Sequence, residues 1–498
     1  MRCLTLARLL RDQGKICVFV MRTHDGHMQE TVEGAGFTCR MLHAGDEYIV
    51  DPMAPPHATW LGTDWRCDAE QTLAIPEMRE TCFVVVDHYS LDARWHRAVR
   101  GTKRKIIVID DLADRVHDCD ILIDQNVGRQ KSDYDGLVPQ NALRLIGPHC
   151  AILRPEFSIA RKESIARRAA ARGPLRVLVT LGGMDADNLT EEVLQVLSQE
   201  TKLQLGEVSI VLGANSPNVL SVSKTSTSMQ VPAHLHVGTD RMAAIMAETD
   251  LAIGAGGGSA IERCVLGLPS IILILADNQR SGATAIARCG AAIDIGDTHT
   301  NVWQDRLRQA LHDLLEPGRL AVMSHRAAEL SDGTGARLAS LAINEKGLAL
   351  RPADHGDAEA VWNWRLAEGA ERFYLSSQQP TFLEHLDWFD AALSTPDRRR
   401  LFMVEIKGRT VAHLRADWDG PDAMISIVVD PALHGQGIGL RALKLIAKFL
   451  GPIGVRTLLA DVHLQNVASH RLFLRAGYVE IGRSPPFLHM AKICSDTL

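Results

Sequence analysis

The chain has 498 residues, of which 46% are hydrophobic and 23% are charged, and its formal net charge at pH 7 is −6. This length exceeds what one compact core can use and predicts about three globular units. The small net charge and the absence of a dense basic block argue against a nucleic-acid partner.

The ten cysteines are scattered singly, without a CxxC pair or a His/Cys cluster at zinc spacing. This pattern predicts reduced thiols, a cytoplasmic protein and no metal site. The longest strongly apolar run, residues 270–276, is too short to cross a bilayer, and the first residues do not resemble a signal peptide. We therefore expect no membrane partner.

The chain opens on an amphipathic helix, Met1–Arg11, with Gly14 suited to end it and no capping residue ahead of it. Parallel α/β lobes usually begin with a central strand instead. We therefore expect the first strand of this lobe and the loop that follows it to be missing.

Short β-branched runs alternate with helical patterns through the first two thirds of the chain. This alternation is typical of parallel sheets covered by helices on both faces and predicts two Rossmann-like lobes, at residues 1–155 and 175–344, joined by a helix at 156–174. From about residue 345 to 498 the pattern becomes α+β. The strand-like runs are ICVFV from Ile16, CFVVVD from Cys82, KIIVID from Lys105, RVLVTLGG from Arg176, VSIVLGAN from Val208, DLAIGAGGG from Asp250 and PSIILILAD from Pro269.

Glycine-rich or polar loops follow three of these strands, where ligands bind in doubly wound sheets. Glycines let backbone N–H groups approach a phosphate, and a carboxylate one turn into the next helix suits the hydroxyls of a ribose. The alternative is that the glycines form tight turns and the carboxylate is solvated. Three such loops favour a diphosphate ligand, with these candidates: Gly182, Gly183, Asp185, Gly256, Gly257, Ser259, Glu262, Asp277, Asn278 and Gln279.

Five segments occur in this order along the chain: VVVDHYSLD, VIDDLAD, RLIGPHCAILRPEF, GGMDADNLT and DLAIGAGGGSAIERCVLGLPSIILILADNQ. Through them, roughly residues 1 to 340 resemble the hydrolase family of the pseudaminic acid pathway, which releases UDP from UDP-2,4-diacetamido-2,4,6-trideoxy-β-L-altropyranose. The resemblance implies a GT-B fold of two Rossmann-like lobes that bind a UDP-sugar through the candidates above, and catalytic roles for Tyr89 and Asn278. The family's G-x-G-H histidine, which helps to activate water, would precede Met1. Either the true start lies upstream, or this copy lacks hydrolase activity.

Residues 346–495 resemble the GNAT acetyltransferase superfamily, through a strand ending at Val429, a glycine-rich turn, a helix, a second strand and the segment NVASHRLFLRAGY. The resemblance implies acetyl-CoA as co-substrate. The implied contacts are Val429 with the pantetheine arm, Asn466 with the acyl arm, and the turn with the pyrophosphate through His434, Gly435, Gln436, Gly437, Ile438 and Gly439. Phe473 occupies the position of the tyrosine that often protonates the thiolate, so Tyr478 or water would replace it.

The main hypothesis is a bifunctional enzyme that N-acetylates a UDP-linked amino sugar and then hydrolyses the product to UDP and free sugar. One alternative is a GT-B glycosyltransferase. Another is a catalytically silent UDP-sugar-binding module that supplies the acetyltransferase. The sequence leaves the oligomeric state open.

Overall fold

The structure is a computed structural model that describes residues 1–24, 26–43, 54–170, 173–344, 348–366, 380–406 and 408–494. Contacts between Cα atoms divide the chain into two compact units. The first comprises Met1–Asp124, Gln130–Ile146 and Ala336–Leu498, and the second comprises Gln125–Arg129 and Gly147–Gly335. The first Rossmann-like lobe therefore shares a unit with the carboxyl-terminal domain.

The amino-terminal lobe carries two parallel sheets in its described residues, β1-β2 and β3-β4-β5-β6. Strands β4 and β5 are almost wholly buried, as expected of inner parallel strands covered on both faces. The expectation of a missing first strand stays a prediction. The elements are α1 (Arg2–Asp12), β1 (Val18–Arg22), α2 (Gln29–Gly34), β2 (Thr38–Leu42), α3 (Trp65–Ala74), β3 (Phe83–Val86), α4 (Ala93–Arg100), β4 (Lys105–Ile109), β5 (Ile121–Asp124) and β6 (Leu143–Ile146).

The second unit is built on one parallel sheet of order β12-β11-β10-β7-β8-β9. The chain moves from β7 to one side of the sheet and then returns to β10 on the other side, so β7 and β10 flank the point where strand order reverses. The elements are α5 (Pro155–Ala170), β7 (Leu175–Thr180), α6 (Leu189–Gln199), β8 (Leu205–Leu212), α7 (Val219–Thr227), β9 (Ala233–Val237), α8 (Met242–Glu248), β10 (Leu251–Ala255), α9 (Ser259–Val265), β11 (Ser270–Ile274), α10 (Arg280–Arg288), β12 (Ala292–Asp297), α11 (Trp303–Asp313) and α12 (Arg319–Leu330).

Helix α5, which the sequence predicts as a connection, is packed within the second unit. The buried Arg161 guanidinium donates hydrogen bonds to the carbonyl oxygens of Val265 at 2.6 Å and of Ser331 and Ala328 at 2.8 Å. These bonds satisfy carbonyls that would otherwise be buried without partners. Within the described part of the chain, no helix is both long enough and apolar enough to cross a membrane.

The carboxyl-terminal domain is a mixed sheet of order β13-β14-β15-β16-β17-β19-β18. Only the β16–β17 pair among its described strands is parallel, and that pairing ends at Met424 opposite Leu459. The elements, after α13 (Gly335–Asn344), are β13 (Leu348–Pro352), α14 (Ala358–Arg365), α15 (Phe382–Leu393), β14 (Arg399–Ile406), β15 (Arg409–Asp419), β16 (Asp422–Val429), α16 (Ile438–Leu450), β17 (Thr457–His463), α17 (Val467–Arg475), β18 (Val479–Ser484) and β19 (Phe487–Ile493).

The two faces of this sheet are covered by different helices. One core joins the sheet to α16 and α17 and includes Leu458, Ala460 and Phe449. A second core on the other face joins α14 and α15 to β14 and includes Val361 and Phe389. The two predicted Rossmann-like lobes and the predicted α+β domain are thus confirmed.

The amino-terminal lobe and the carboxyl-terminal domain are in contact within the first unit. Lys131 Nζ lies 3.2 Å from Glu405 Oε1, and Gln13 Nε2 donates to Ser340 Oγ at 3.2 Å. A Cβ atom on Gly408 would lie 3.1 Å from the carbonyl oxygen of Ala142. The close backbone approach at Gly408 leaves no room for a larger residue.

Candidate functional sites

The predicted loops of the second unit follow β7, β10 and β11, which are neighbours in the sheet. A Cβ atom on Gly256 would lie 3.2 Å from Ala283 Cβ and 3.3 Å from Gln279 Cβ, and one on Gly257 would lie 3.9 Å from Gln279 Nε2. The loops after β10 and β11 are therefore packed together, and glycine at 256 is what permits it. The structure brings Gly256, Gly257 and Gln279 into one cluster at the edge where doubly wound sheets bind ligands.

Asp185 shapes the loop after β7. Its carboxylate accepts hydrogen bonds from the main-chain N–H groups of Leu189 and Thr190, both at 3.0 Å, at the start of α6. Gly182 has a φ of 101°, and the Gly183 carbonyl oxygen accepts from the Gly213 N–H at 3.0 Å. Asp185 is buried and occupied by these amides, so the structure gives it a role in fixing the loop. Its contact with a UDP-sugar stays a prediction.

Glu262 lies on α9, one turn after the glycine loop, and is half-buried. Burial raises the pKa of its carboxyl group, while the positive charges of Arg154 and Arg263 oppose that rise. Arg263, which the sequence analysis missed, donates to Ser259 Oγ at 3.3 Å and to the Ala255 carbonyl oxygen at 2.8 Å. It therefore holds the predicted Ser259 and the end of β10 together.

The segment after β11 forms a short 3-10 turn, Asp277–Gln279. Asp277 and Asn278 are exposed, and Asp277 pairs with Arg280 at 3.1 Å. Gln279 Oε1 accepts from the Leu275 N–H at 3.2 Å, so this side chain closes its own loop. The contacts of Asp277 and Asn278 with a UDP-sugar stay predictions.

Tyr89 belongs to a hydrogen-bonded cluster at the carboxyl ends of β3 and β4 in the first unit. Tyr89 Oη donates to Asp111 Oδ2 at 2.8 Å. The Arg2 guanidinium, at the start of α1, donates to both oxygens of Asp111 at 2.9 and 2.8 Å and to Asp87 at 3.0 and 2.6 Å. Sequence analysis missed Arg2 and the partner roles of both aspartates, although VVVDHYSLD and VIDDLAD contain the aspartates.

The charges of this cluster fix its protonation states. Burial disfavours the charged form of Asp87, but its bonds to Arg2 outweigh that effect and hold its pKa below the usual value. Burial and the Asp111 charge raise the pKa of the Tyr89 phenol, so it remains protonated at neutral pH. Among the residues that the structure describes, no group of three or more His, Cys, Asp or Glu side chains is arranged to hold a metal ion.

The glycine-rich turn after β16 has the backbone of a phosphate cradle. Gly435 and Gly437 have φ angles of 77° and 75°, which favour glycine, and Gly437 precedes the first turn of α16. The N–H groups of that turn have no partners within the helix. His434 Nε2 lies 3.1 Å from the Val429 carbonyl oxygen, which places the predicted His434 beside the end of the strand.

Asn466 and Tyr478, the predicted residues beyond the cradle, differ in how far a cofactor can reach them. Asn466 Oδ1 accepts from the Ser469 N–H at 3.0 Å and caps α17, so its amide nitrogen is the atom left for a cofactor. Tyr478 is 1% exposed and its ring packs against Phe473 at 4.9 Å. Burial raises the pKa of its phenol. A hydroxyl buried this deeply offers little access to a departing thiolate, and its catalytic role stays a prediction.

Two family models match separate parts of the chain. Residues 176–337 match the C-terminal domain of glycosyltransferase family 28, and residues 360–478 match the acetyltransferase (GNAT) family. The first match covers the parallel sheet with the three loops, and the second covers the opened β16–β17 pair and its cradle.

Three relatives match the chain over different lengths. An uncharacterized protein of Methanocaldococcus jannaschii is 23% identical over 410 residues, which cover 79% of this chain and 81% of that protein. The UDP-2,4-diacetamido-2,4,6-trideoxy-beta-L-altropyranose hydrolase of Campylobacter jejuni is 26% identical over 212 residues, or 42% of this chain and 73% of the hydrolase. The spore coat polysaccharide biosynthesis protein SpsG of Bacillus subtilis is 31% identical over 150 residues, or 30% of this chain and 43% of that protein. The chain thus shows homology to the hydrolase, to the C-terminal domain of glycosyltransferase family 28 and, in a separate part, to the GNAT acetyltransferase family.

Proposed function

We propose that the chain performs two consecutive reactions of surface-sugar biosynthesis in the pseudaminic acid pathway. The GNAT domain transfers an acetyl group from acetyl-CoA to the 4-amino group of a UDP-linked amino sugar. The Rossmann-like lobes then hydrolyse the UDP-diacetamido sugar to UDP and free sugar. The observation that carries the proposal is the β16–β17 pair, which opens beyond Met424 and Leu459 directly before the glycine cradle.

Acetyl-CoA would bind along the opened strand. Past Met424, the β17-facing backbone groups of β16 have no β17 partners within the described pairing and would bind the amide groups of pantetheine. Of these groups, the Val429 carbonyl oxygen lies 3.1 Å from His434 Nε2, so this contact would have to give way to the cofactor. The cradle N–H groups at the start of α16, a helix of 13 residues, would bind the pyrophosphate with help from the helix dipole. The co-substrate supplies the acetyl thioester, and the chain orients it toward the acceptor.

For hydrolysis, the second unit would bind the UDP portion through the loops around Gly256 and Glu262. The Tyr89 hydroxyl donates to Asp111, so its oxygen lone pairs are free to accept a hydrogen bond from water. Tyr89 would thereby orient the attacking water without removing a proton itself. The hydrolase resemblance, together with this held phenol, supports the second reaction.

A paired assay tests both reactions on the full chain. CoA release is followed with acetyl-CoA and the 4-amino precursor of UDP-2,4-diacetamido-2,4,6-trideoxy-β-L-altropyranose, and UDP release is followed with the diacetamido sugar. We expect CoA release that Gly437→Ala lowers and UDP release that Tyr89→Phe lowers. If the folded chain released neither CoA nor UDP, that result would contradict the sugar assignment. CoA release alone would favour the UDP-sugar-binding module, provided that UDP-sugar still binds.

A glycosyltransferase is the second candidate, and the match to the glycosyltransferase family 28 C-terminal domain favours it. In that case UDP release would depend on an added sugar or lipid acceptor, and the sugar would appear on that acceptor. UDP release in buffer alone, with free sugar as the product, would exclude it.

A further inference from the structure

A buried arginine lies against the end of β10 in the second unit, beside the glycine-rich loop. Arg263, on α9, is 1% exposed. Its guanidinium donates to the Ala255 carbonyl oxygen at 2.8 Å, to Ser270 Oγ at 3.0 Å and to Ser259 Oγ at 3.3 Å. A Cβ atom on Gly254 would lie 2.6 Å from Arg263 Nη1, so the lack of a side chain at residue 254 makes room for the guanidinium.

Within the described residues, no carboxylate forms an ion pair with Arg263, and its three hydrogen-bond acceptors are uncharged. Burial lowers the pKa of the guanidinium to about 10, against the opposing effects of Cys264 and Glu262. The group therefore keeps its positive charge at neutral pH. A buried positive charge is unfavourable unless an anion compensates for it.

Ser259 connects this guanidinium to the loop after β10. It is half-buried and begins α9, directly after the glycines at residues 256–258. Because Ser259 Oγ accepts from Arg263, the hydrogen of the serine hydroxyl is available to a ligand.

This bond also limits the distance between Arg263 and such a ligand. A phosphate oxygen that accepts the serine hydrogen at about 2.7 Å lies no more than about 6 Å from Arg263 Nη1. Opposite charges at that separation attract one another appreciably where water is largely excluded.

We propose that Arg263 is the counter-charge for the diphosphate of UDP at this loop, and that it orients the Ser259 hydroxyl to donate to a phosphate oxygen. This role rests on the UDP-sugar binding proposed above. The negative charge of the diphosphate compensates for the buried guanidinium. Arg263 thus contributes to the binding of ligands that carry phosphate and not to the binding of the nucleoside alone.

The test measures the affinity of the full chain for UDP by isothermal titration and for uridine by saturation-transfer NMR. We expect Arg263→Met to weaken UDP binding by about 10-fold or more, the effect of losing one charged interaction. The affinity for uridine should stay unchanged, because uridine has no phosphate. Arg263→Lys keeps the charge without the planar guanidinium and should recover part of the UDP affinity.

Arg168→Met is the matched control. Arg168 is also largely withdrawn from water, and it donates to the carbonyl oxygens of Met246 and Thr249 at 3.3 and 2.7 Å. Thr249 precedes β10, so this arginine lies at the edge of the sheet opposite the loop after β10. The variant should retain the wild-type affinity for UDP, and thermal unfolding midpoints show whether each variant is folded.

Equal UDP affinities of the wild type and folded Arg263→Met would overturn the assignment. Equal losses for UDP and uridine would also overturn it, because the arginine would then act only by holding the ends of β10 and β11 in place. Where Arg263→Met does not fold, Ser259→Ala decides the question. A loss of UDP affinity without a loss of uridine affinity supports the assignment, and an unchanged UDP affinity overturns it.

The proposed function can fail separately. If the wild type binds UDP but does not release it from the diacetamido sugar, the hydrolysis is refuted, and the UDP titration still tests Arg263. If the wild type binds no UDP, inorganic pyrophosphate is the probe. A rise in the unfolding midpoint that Arg263→Met abolishes supports the counter-charge, and an unchanged midpoint overturns it.

Discussion

Arg2 and Asp111 form an ion pair in which Arg2 Nη1 lies 2.9 and 2.8 Å from the two carboxylate oxygens. The same guanidinium also binds Asp87. One side chain at the start of α1 thus joins the ends of β3 and β4. Because Asp111 also accepts the Tyr89 hydroxyl, the position of the predicted catalytic phenol depends on Arg2.

Arg2→Met should destabilise the first unit by about 1 to 3 kcal/mol, since Asp87 and Asp111 would both lose the guanidinium that they share. The midpoint of thermal unfolding and amide hydrogen exchange in α1 measure the loss. Asp87 has a lowered pKa, so its contribution to stability is present above the ordinary aspartate pKa of about 4 and is lost as the pH falls below it. The difference between wild type and variant should therefore shrink in acid. The double variant Arg2→Met/Asp87→Asn should recover part of the stability, and an unchanged midpoint in Arg2→Met would contradict the prediction.

Gly256→Val should weaken UDP binding by about 10-fold or more, because the added side chain meets Ala283 and Gln279 and separates the loops after β10 and β11. Isothermal titration of the full chain with UDP measures the effect. Gly282→Ala is the control, since a Cβ atom there meets no heavy atom within 4 Å and Gly282 lies inside α10. Equal affinities in the two variants would show that the β10 loop does not contact UDP.

Gly437→Ala should weaken acetyl-CoA binding, because Gly437 has a φ of 75° at the start of α16 and alanine would pull the cradle away from that geometry. The matched control is Gly420→Ala, since Gly420 has a φ of 69° in the turn between β15 and β16. Both variants should lose a similar stability, about 1 to 2 kcal/mol, which is the cost of the left-handed conformation. Only Gly437→Ala should change the Kd for acetyl-CoA. A similar change in both would mean that strain, and not the cradle, affects the cofactor.

His413 should make the carboxyl-terminal domain sensitive to acid. Burial, aided by the nearby charges of Arg415 and Arg365, lowers the pKa of His413 to about 3, against the opposing effect of Asp357. The unfolded chain takes up a proton below the ordinary histidine pKa of about 6.5, whereas the folded domain does not until about pH 3. Stability should therefore fall as the pH decreases through this window, by up to about 1.4 kcal/mol per pH unit.

His413→Leu should flatten that dependence, as measured by unfolding midpoints between pH 4 and pH 7. The side chain packs near the Phe389 ring, at 6.3 Å between centroids, so leucine is compatible with its surroundings. His355→Leu replaces a histidine of the same domain that is 75% exposed, and it should leave the slope unchanged. Parallel slopes for wild type and His413→Leu would contradict the assignment.

Local sequence patterns were sufficient for seven of the parallel strands and for the loops that follow β7, β10 and β11, whereas no predicted run covers β2, β5, β6, β9 or β12. The run RVLVTL was predicted as a strand because an inner parallel strand is apolar on both faces, and it forms most of β7. Gly182 and Gly183 therefore lie just after the end of that strand. Asp185 shows the limit of that reasoning. It follows a strand as a ligand-binding residue would, yet its carboxylate binds the amides of α6.

Residues that act together across the chain could not be predicted in this way. Arg2 and Asp111 are 109 positions apart, and their contact depends on how α1 packs over the ends of β3 and β4. Asp461 meets His489 only in one antiparallel register of β17 and β19, and a shift of one residue would send the imidazole to the opposite face. The pattern of a single segment does not contain that register.

The contacts between the amino-terminal lobe and the carboxyl-terminal domain affect how the protein is made. Gln13 contacts Ser340, which is synthesised 327 residues later, and Lys131 contacts Glu405, which is synthesised 274 residues later. During synthesis the second unit can fold as soon as it emerges, whereas the surface of the first lobe stays uncovered until nearly the last part of the chain has left the ribosome. A premature stop codon before the carboxyl-terminal domain would thus remove that domain and also leave an exposed face on the first lobe, which favours aggregation.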